Sequence, residues 1–111
     1  MKVLVTGASG HLATNTILHL VEAGYSVAAY LRNKNKFLLA EGENIEVFEG
    51  DYEPDDLDKA MKDCEFVVHT AAESSQGKVR YRSYEKVNVE LTRRICAAAI
   101  RQRVRRLIYV S

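Results

Sequence analysis

The chain reads as an α/β fold, one parallel sheet of five strands in the order 3-2-1-4-5 with helices on its faces. Three observations predict it. Short apolar runs recur from Lys2 to Val110, and turn residues bound them. The stretches between most of them place apolar residues at helical spacing, so strands and helices alternate, which implies parallel βαβ units. The first run ends in a glycine turn, Gly7-Ala8-Ser9-Gly10, that opens directly into a helical pattern.

Strand one is Lys2 to Thr6. Helix one covers about Leu12 to Ala23, with Leu12, Thr16, Leu20 and Ala23 near one face and Ile17 and Val21 beside it. Gly24 supplies the backbone conformation that follows a helix C-cap. Strand two is Ser26 to Leu31, and a polar turn from Arg32 to Lys36 follows it. A short, weak helix two is expected around Lys36 to Ala40. Strand three is Ile45 to Glu49, closed by Gly50 and Asp51. Pro54 suits the first turn of helix three, which runs to about Lys62 with Leu57, Ala60 and Met61 inward. Strand four is Phe66 to Thr70, and the polar stretch Glu73 to Arg82 is expected to be a loop. Helix four covers roughly Tyr84 to Arg101 on a stripe of Val87, Leu91, Ile95 and Ala98, widened by Ala99. Strand five is Arg106 to Val110. Its apolar run from Leu107 looks like a centrally buried parallel strand.

A chain of 111 residues supports one domain with one modest core. The apolar fraction of 47% and a single proline fit a folded globular protein. No apolar run approaches the roughly 18 residues that span a bilayer, so no membrane partner is expected. Cys64 and Cys96 have neither metal-ligand spacing nor a disulfide framework. Buried thiols in a reducing, cytoplasmic setting are the default, with no metal. The formal charge of +1 hides an asymmetry. Residues 1–75 carry 6 Lys/Arg and 13 Asp/Glu, a net of −7, whereas residues 76–111 carry 10 and 2, a net of +8. Either the halves complement each other across one folded surface or the basic part faces another molecule. A nucleic-acid partner is the weaker expectation.

The glycine turn is the first candidate site. Gly7 permits a tight exit from strand one and Gly10 a close approach to a pyrophosphate. The first N–H groups of helix one, from about Leu12, face such an anion, with Ser9 and His11 lining the pocket. An ordinary strand–helix turn is the alternative. After strand two, a carboxylate that would read the ribose of NAD(H) is absent. Arg32 stands there instead, and a guanidinium can pair with the 2′-phosphate of NADP(H), a solvated basic turn being the other reading. Asp51 follows strand three, where it can approach an adenine amino group, with Tyr52 packing nearby. A capping or solvated turn is the other reading of Asp51. Thr70, Ala71 and Ala72 end strand four with small side chains over which a cofactor can cross. Asn88 lies early in helix four and can support an active site or serve structure alone. His69 is read as a packing and hydrogen-bonding residue.

Together these motifs resemble the N-terminal portion of the extended short-chain dehydrogenase/reductase family, in particular its dihydroflavonol-reductase-like members and NAD(P)-dependent epimerases or dehydratases. The resemblance rests on Thr6-Gly7-Ala8-Ser9-Gly10-His11-Leu12-Ala13, Arg32, Gly50-Asp51, Val68-His69-Thr70-Ala71-Ala72, Val87-Asn88-Val89 and the run from Val104 to Ser111. Ala13 departs from the family's third glycine, and Glu90 stands where a small residue is common. The resemblance implies that residues 1–111 form an incomplete Rossmann-like NAD(P)-binding domain. The parent would be an NADP-dependent oxidoreductase acting on a small carbonyl or alcohol substrate. Asn88 then takes the place of the family's active-site Asn. The family's catalytic Ser or Thr and its Tyr-x-x-x-Lys pair are expected beyond Ser111. Tyr81 is followed four residues on by Glu85, and Tyr84 by Asn88, so neither supplies that pair. Two further expectations follow: a non-catalytic NADP-responsive sensor or interaction module as the alternative function, and homo-oligomers formed through an exposed strand-five edge.

Overall fold

The computed structural model describes residues 1–70 and 81–110, and for 81–87 the backbone alone. The strands are β1 (Lys2–Thr6), β2 (Ser26–Leu31), β3 (Ile45–Glu49), β4 (Phe66–Thr70) and β5 (Arg106–Val110). All pair in parallel, in the order β3-β2-β1-β4-β5. The helices are α1 (His11–Glu22), α2 (Pro54–Met61) and α3 (Tyr81–Arg101).

The period-two pattern of the strands sorts the core into two layers. From β1 and β2, Val3, Val5, Val27, Ala29 and Leu31 pack with Ala13 and Ile17 of α1. From the opposite face, Leu4, Ala28, Tyr30 and Val67 pack with Leu57 and Met61 of α2 and with Leu91, Ile95 and Ala98 of α3. A fully buried Ile17 or Leu57 each stabilises the fold by about 2 kcal/mol. The sheet is therefore covered on both sides, as its apolar central strands require.

Helix α1 starts one residue earlier than its apolar stripe indicates, because Gly10 takes the N-cap place. It ends as Gly24 foretells. Gly24 has φ +97°, its N–H bonds to Val21 O and the Tyr25 N–H bonds to Leu20 O.

Helix two around Lys36 to Ala40 is a misreading. A single 3-10 turn, Lys34–Lys36, stands before it, and Asn33 Oδ1 caps that turn by accepting the Asn35 N–H at 3.0 Å. Phe37 is then extended. Phe37 and Leu39 pack beside α1 while Leu38 between them is exposed, an alternation that suits an extended segment and not a helix. Helix α3 begins at Tyr81, inside the stretch expected to be a loop. The rest of that loop lies outside the described residues.

Among the described residues, three ion pairs join the basic segment to the acidic one. Arg101 of α3 holds Asp58 of α2 at 3.0 Å, Arg94 holds Glu53 at 3.4 Å and Arg105 holds Glu65 at 3.7 Å. Exposed pairs of this kind are each worth at most about 1 kcal/mol. Strand β5 carries the apolar run of a central strand but lies at the sheet's edge. Ile108 on one face and Tyr109 on the other are about half exposed.

Candidate functional site

The carboxyl ends of β1, β2, β3 and β4 lie side by side, and the candidate residues gather there. Crevices outside the carboxyl ends of parallel strands are where such folds bind ligands.

The β1–α1 turn is fixed from two sides. Gly7 has φ +63°, a conformation L side chains rarely adopt, and a Cβ there would collide with Thr70 Oγ1. Thr70 is 4% exposed and donates its hydroxyl to Thr6 O at 2.7 Å. Ala8 is fully buried and ties the turn to β2 by donating its N–H to Tyr30 O at 3.1 Å. The Thr70 side chain thus braces the turn, a role beyond that of a small residue that leaves room.

Gly10 is different. Its φ of −81° and ψ of 161° are extended backbone that any residue adopts. A Cβ there would meet only Gly7 O, at an ordinary 3.7 Å. Gly10 caps the helix without a side-chain bond, at a place where Ser, Asp or Asn would be better by only a few tenths of a kcal/mol. The space in front of Gly10 is open, and Ser9, His11 and the half-exposed Leu12 border it. The Thr14 N–H takes Gly10 O as the first helical bond. The amides of His11, Leu12 and Ala13 precede that bond and form the donor-rich helix start that favours anions. A bare cradle of this shape fits a pyrophosphate. Ala13, 1% exposed, is accommodated in the α1 core layer, so the departure from glycine leaves the packing intact.

Arg32 follows β2. Its Nε lies 3.3 Å from Asp51 Oδ1, and its guanidinium sits 5.5 Å from the centre of the Tyr52 ring. Asp51 is largely exposed, whereas Tyr52 is 2% exposed and belongs to the α2–α3 core layer. The Tyr52 N–H donates to Tyr30 Oη at 2.8 Å, and the rings meet edge to face at 5.0 Å. Burial pushes the Tyr30 phenol up to about 12.

A Tyr-x-x-x-Lys spacing does occur in the chain, from Tyr30 to Lys34. It is no proton-transfer pair. Tyr30 is fully buried in a strand, is bound to Tyr52, and its pKa is shifted away from ready ionisation.

His69 is a packing and hydrogen-bonding residue. It is 2% exposed, with Nδ1 2.6 Å from Thr6 Oγ1 and Nε2 3.2 Å from Thr92 Oγ1 of α3. Burial pushes its pKa down to about 4, so near neutral pH it is an uncharged link between β1, β4 and α3. No sequence signal pairs Thr6 with His69, because 63 residues separate them. Asn88 is half-buried on α3, one turn before Thr92. Ala71, Ala72 and Ser111 lie outside the described residues. Among the described residues no group of His, Cys, Asp and Glu is placed to hold a metal ion, and no helix is long and apolar enough to cross a membrane.

A family model described as NAD(P)H-binding matches residues 7–111. A dihydroflavonol 4-reductase-like protein of Synechocystis sp. is 32% identical over 107 residues, covering 96% of this chain and 31% of that protein. The 4-hydroxy-2-methyl-3-oxo-4-farnesyl-3,4-dihydroquinoline-1-oxide ketoreductase of Stigmatella aurantiaca is 30% identical over 112 residues, covering 100% of this chain and 33% of that protein. Among solved structures, the UDP-N-acetylglucosamine 4-epimerase of Bacillus cereus superposes with a TM-score of 0.77 at 25% identity, covering 98% of this chain and 36% of that one. The chain spans about a third of the length of these relatives.

Proposed function

Because this chain belongs to the NAD(P)H-binding family, among short-chain dehydrogenases/reductases of the dihydroflavonol-reductase-like and epimerase/dehydratase type, we propose that it is the NADP(H)-binding portion of an oxidoreductase acting on a carbonyl or alcohol substrate. The observation that carries the proposal is Gly10. Neither its backbone angles nor its protein neighbours require a glycine, and a bound pyrophosphate does.

The amides of His11, Leu12 and Ala13 hold the pyrophosphate, with Ser9 beside them. Arg32 takes the 2′-phosphate, which favours NADP(H) over NAD(H). Asp51 faces the adenine amino group. Thr70 lies beneath the nicotinamide half, and Asn88 supports that end from α3. When bound, the cofactor supplies hydride transfer to or from a carbonyl carbon. The residues of this chain bind and orient it. The ketoreductase among its relatives favours the carbonyl assignment.

Calorimetric titration of the folded chain with NADPH and with NADH tests this. Binding of both with NADPH tighter is expected. No binding by a chain shown to be folded defeats the cofactor assignment, and equal affinities defeat the role of Arg32.

The exposed Ile108 and Tyr109 on the β5 edge favour a second reading, an NADP-responsive interaction module that self-associates there. Light scattering across protein concentration distinguishes it. A mass that stays monomeric at all concentrations rejects self-association.

A further inference from the structure

Tyr52 holds a backbone conformation that its side chain disfavours, and two hydrogen bonds hold it there. Its φ is +61°, uncommon for a bulky aromatic residue. The N–H is fixed by Tyr30 Oη at 2.8 Å, and the carbonyl accepts from Arg94 Nη1 of α3 at 3.3 Å. Gly50, two residues earlier, cannot be larger, because a Cβ would lie 2.5 Å from Tyr30 Oη. A strained residue persists where its surroundings over-determine it, and such strain clusters at ligand sites.

The result of the strain is the position of one ring. It lies in the core layer, yet the Arg32 guanidinium sits 5.5 Å from its centre. Asp51, immediately before Tyr52, places its carboxylate 3.3 Å from Arg32 Nε. A guanidinium laid on an aromatic face keeps its donors in its own plane, the arrangement that grips a phosphate with two parallel bonds. The neighbouring carboxylate competes for the same charge.

We propose that Tyr52 is the pedestal that positions Arg32 for a 2′-phosphate, and that Asp51 is the counter-ion which that phosphate displaces. This rests on the assignment of Arg32 made above. Tyr52 acts through Arg32 and is a positioning residue. Its removal shifts the preference between NADPH and NADH, read as the ratio of the two affinities.

Titrations of the full chain with NADPH and NADH, each variant also followed by thermal unfolding, decide the matter. NADH serves as the internal control, so effects of Asp51 on adenine cancel in the ratio. Tyr52→Leu is expected to lower the NADPH-to-NADH affinity ratio about 3-fold, and Tyr52→Phe, which keeps the ring, to preserve it. Asp51→Asn is expected to raise the ratio about 2-fold. A ratio unchanged in Tyr52→Leu, while Arg32→Ala lowers it, overturns the pedestal and leaves the Arg32 assignment standing. A ratio unchanged in Arg32→Ala overturns both. If Tyr52→Leu fails to fold, Asp51→Asn decides: an unchanged or lowered ratio rejects the proposal.

Discussion

The two ends of the strand-edge crevice are built from opposite materials. At the β1–α1 turn, Gly7 is locked by its φ and by Thr70, and Thr6, His69 and Thr70 are all buried and hydrogen-bonded. At the β2–β3 end, Arg32 and Asp51 are exposed and meet as one ion pair above a buried ring. The first end is set by the packing that folds the chain. The second is set by charges that water screens and a ligand can reorganise. Substitutions that break the packing around Gly7, His69 and Thr70 therefore act first through stability, and those at the arginine end through selectivity.

The largest effect belongs to Gly7→Val. The collision with Thr70 and the disfavoured φ are expected to cost about 3 kcal/mol or more, read as a lowered urea midpoint. A midpoint within about 0.5 kcal/mol of the parent would mean that the turn is not locked by packing.

Acid should weaken the same end by a similar amount. The unfolded chain takes up a proton at His69 from about pH 6.5 downward, the folded chain only near 4. The His69 contribution is fully present above about pH 6.5. It declines by about 3 kcal/mol as the pH falls to 4. In His69→Asn the decline of stability across that window should be shallower by about one proton. Equal slopes in parent and variant would show that His69 is not held neutral.

Arg32→Ala probes the other end. Its NADPH-to-NADH affinity ratio is expected to fall about 10-fold, from loss of a charge-assisted contact. Its stability should change by less than about 1 kcal/mol. A large loss of stability with an unchanged ratio would erase the contrast between the two ends.

Thr70→Val is the smallest and sharpens the comparison. Losing the hydroxyl bond to Thr6 O should cost about 1 kcal/mol and weaken NADPH and NADH equally. A selective loss of NADPH would place Thr70 in the wrong half of the crevice.

What could be read in the sequence divides along a physical line. The glycine turn, the strand order and the Gly24 helix stop are legible because each rests on local conformation or apolar period. The misread helix at Lys36 to Ala40 also has a local cause, since Phe37, Leu38 and Leu39 allow either period and tertiary packing chose the extended one. The brace from Thr70 to Thr6 spans 64 residues, and the link between Arg94 and Tyr52 spans 42. No spacing rule reaches so far. The positive φ of Tyr52 was hidden for the same reason, because a distant Tyr30 and Arg94 impose it. The Tyr30–Lys34 spacing shows the converse, a motif whose burial removes its chemistry.

Gly10 offers the most direct measurement. Aspartate is a strong N-cap and its geometry fits the extended backbone at this position. Gly10→Asp should therefore keep the unfolding midpoint or raise it by about 1 kcal/mol. The same carboxylate would fill the cradle and repel a pyrophosphate. Calorimetric binding of NADPH and of NADH should both fall by about 100-fold or more, on the scale of two or three lost kcal/mol. Binding of either cofactor within about 3-fold of the parent, in a chain of undiminished stability, would show that the space before Gly10 is not where the dinucleotide sits.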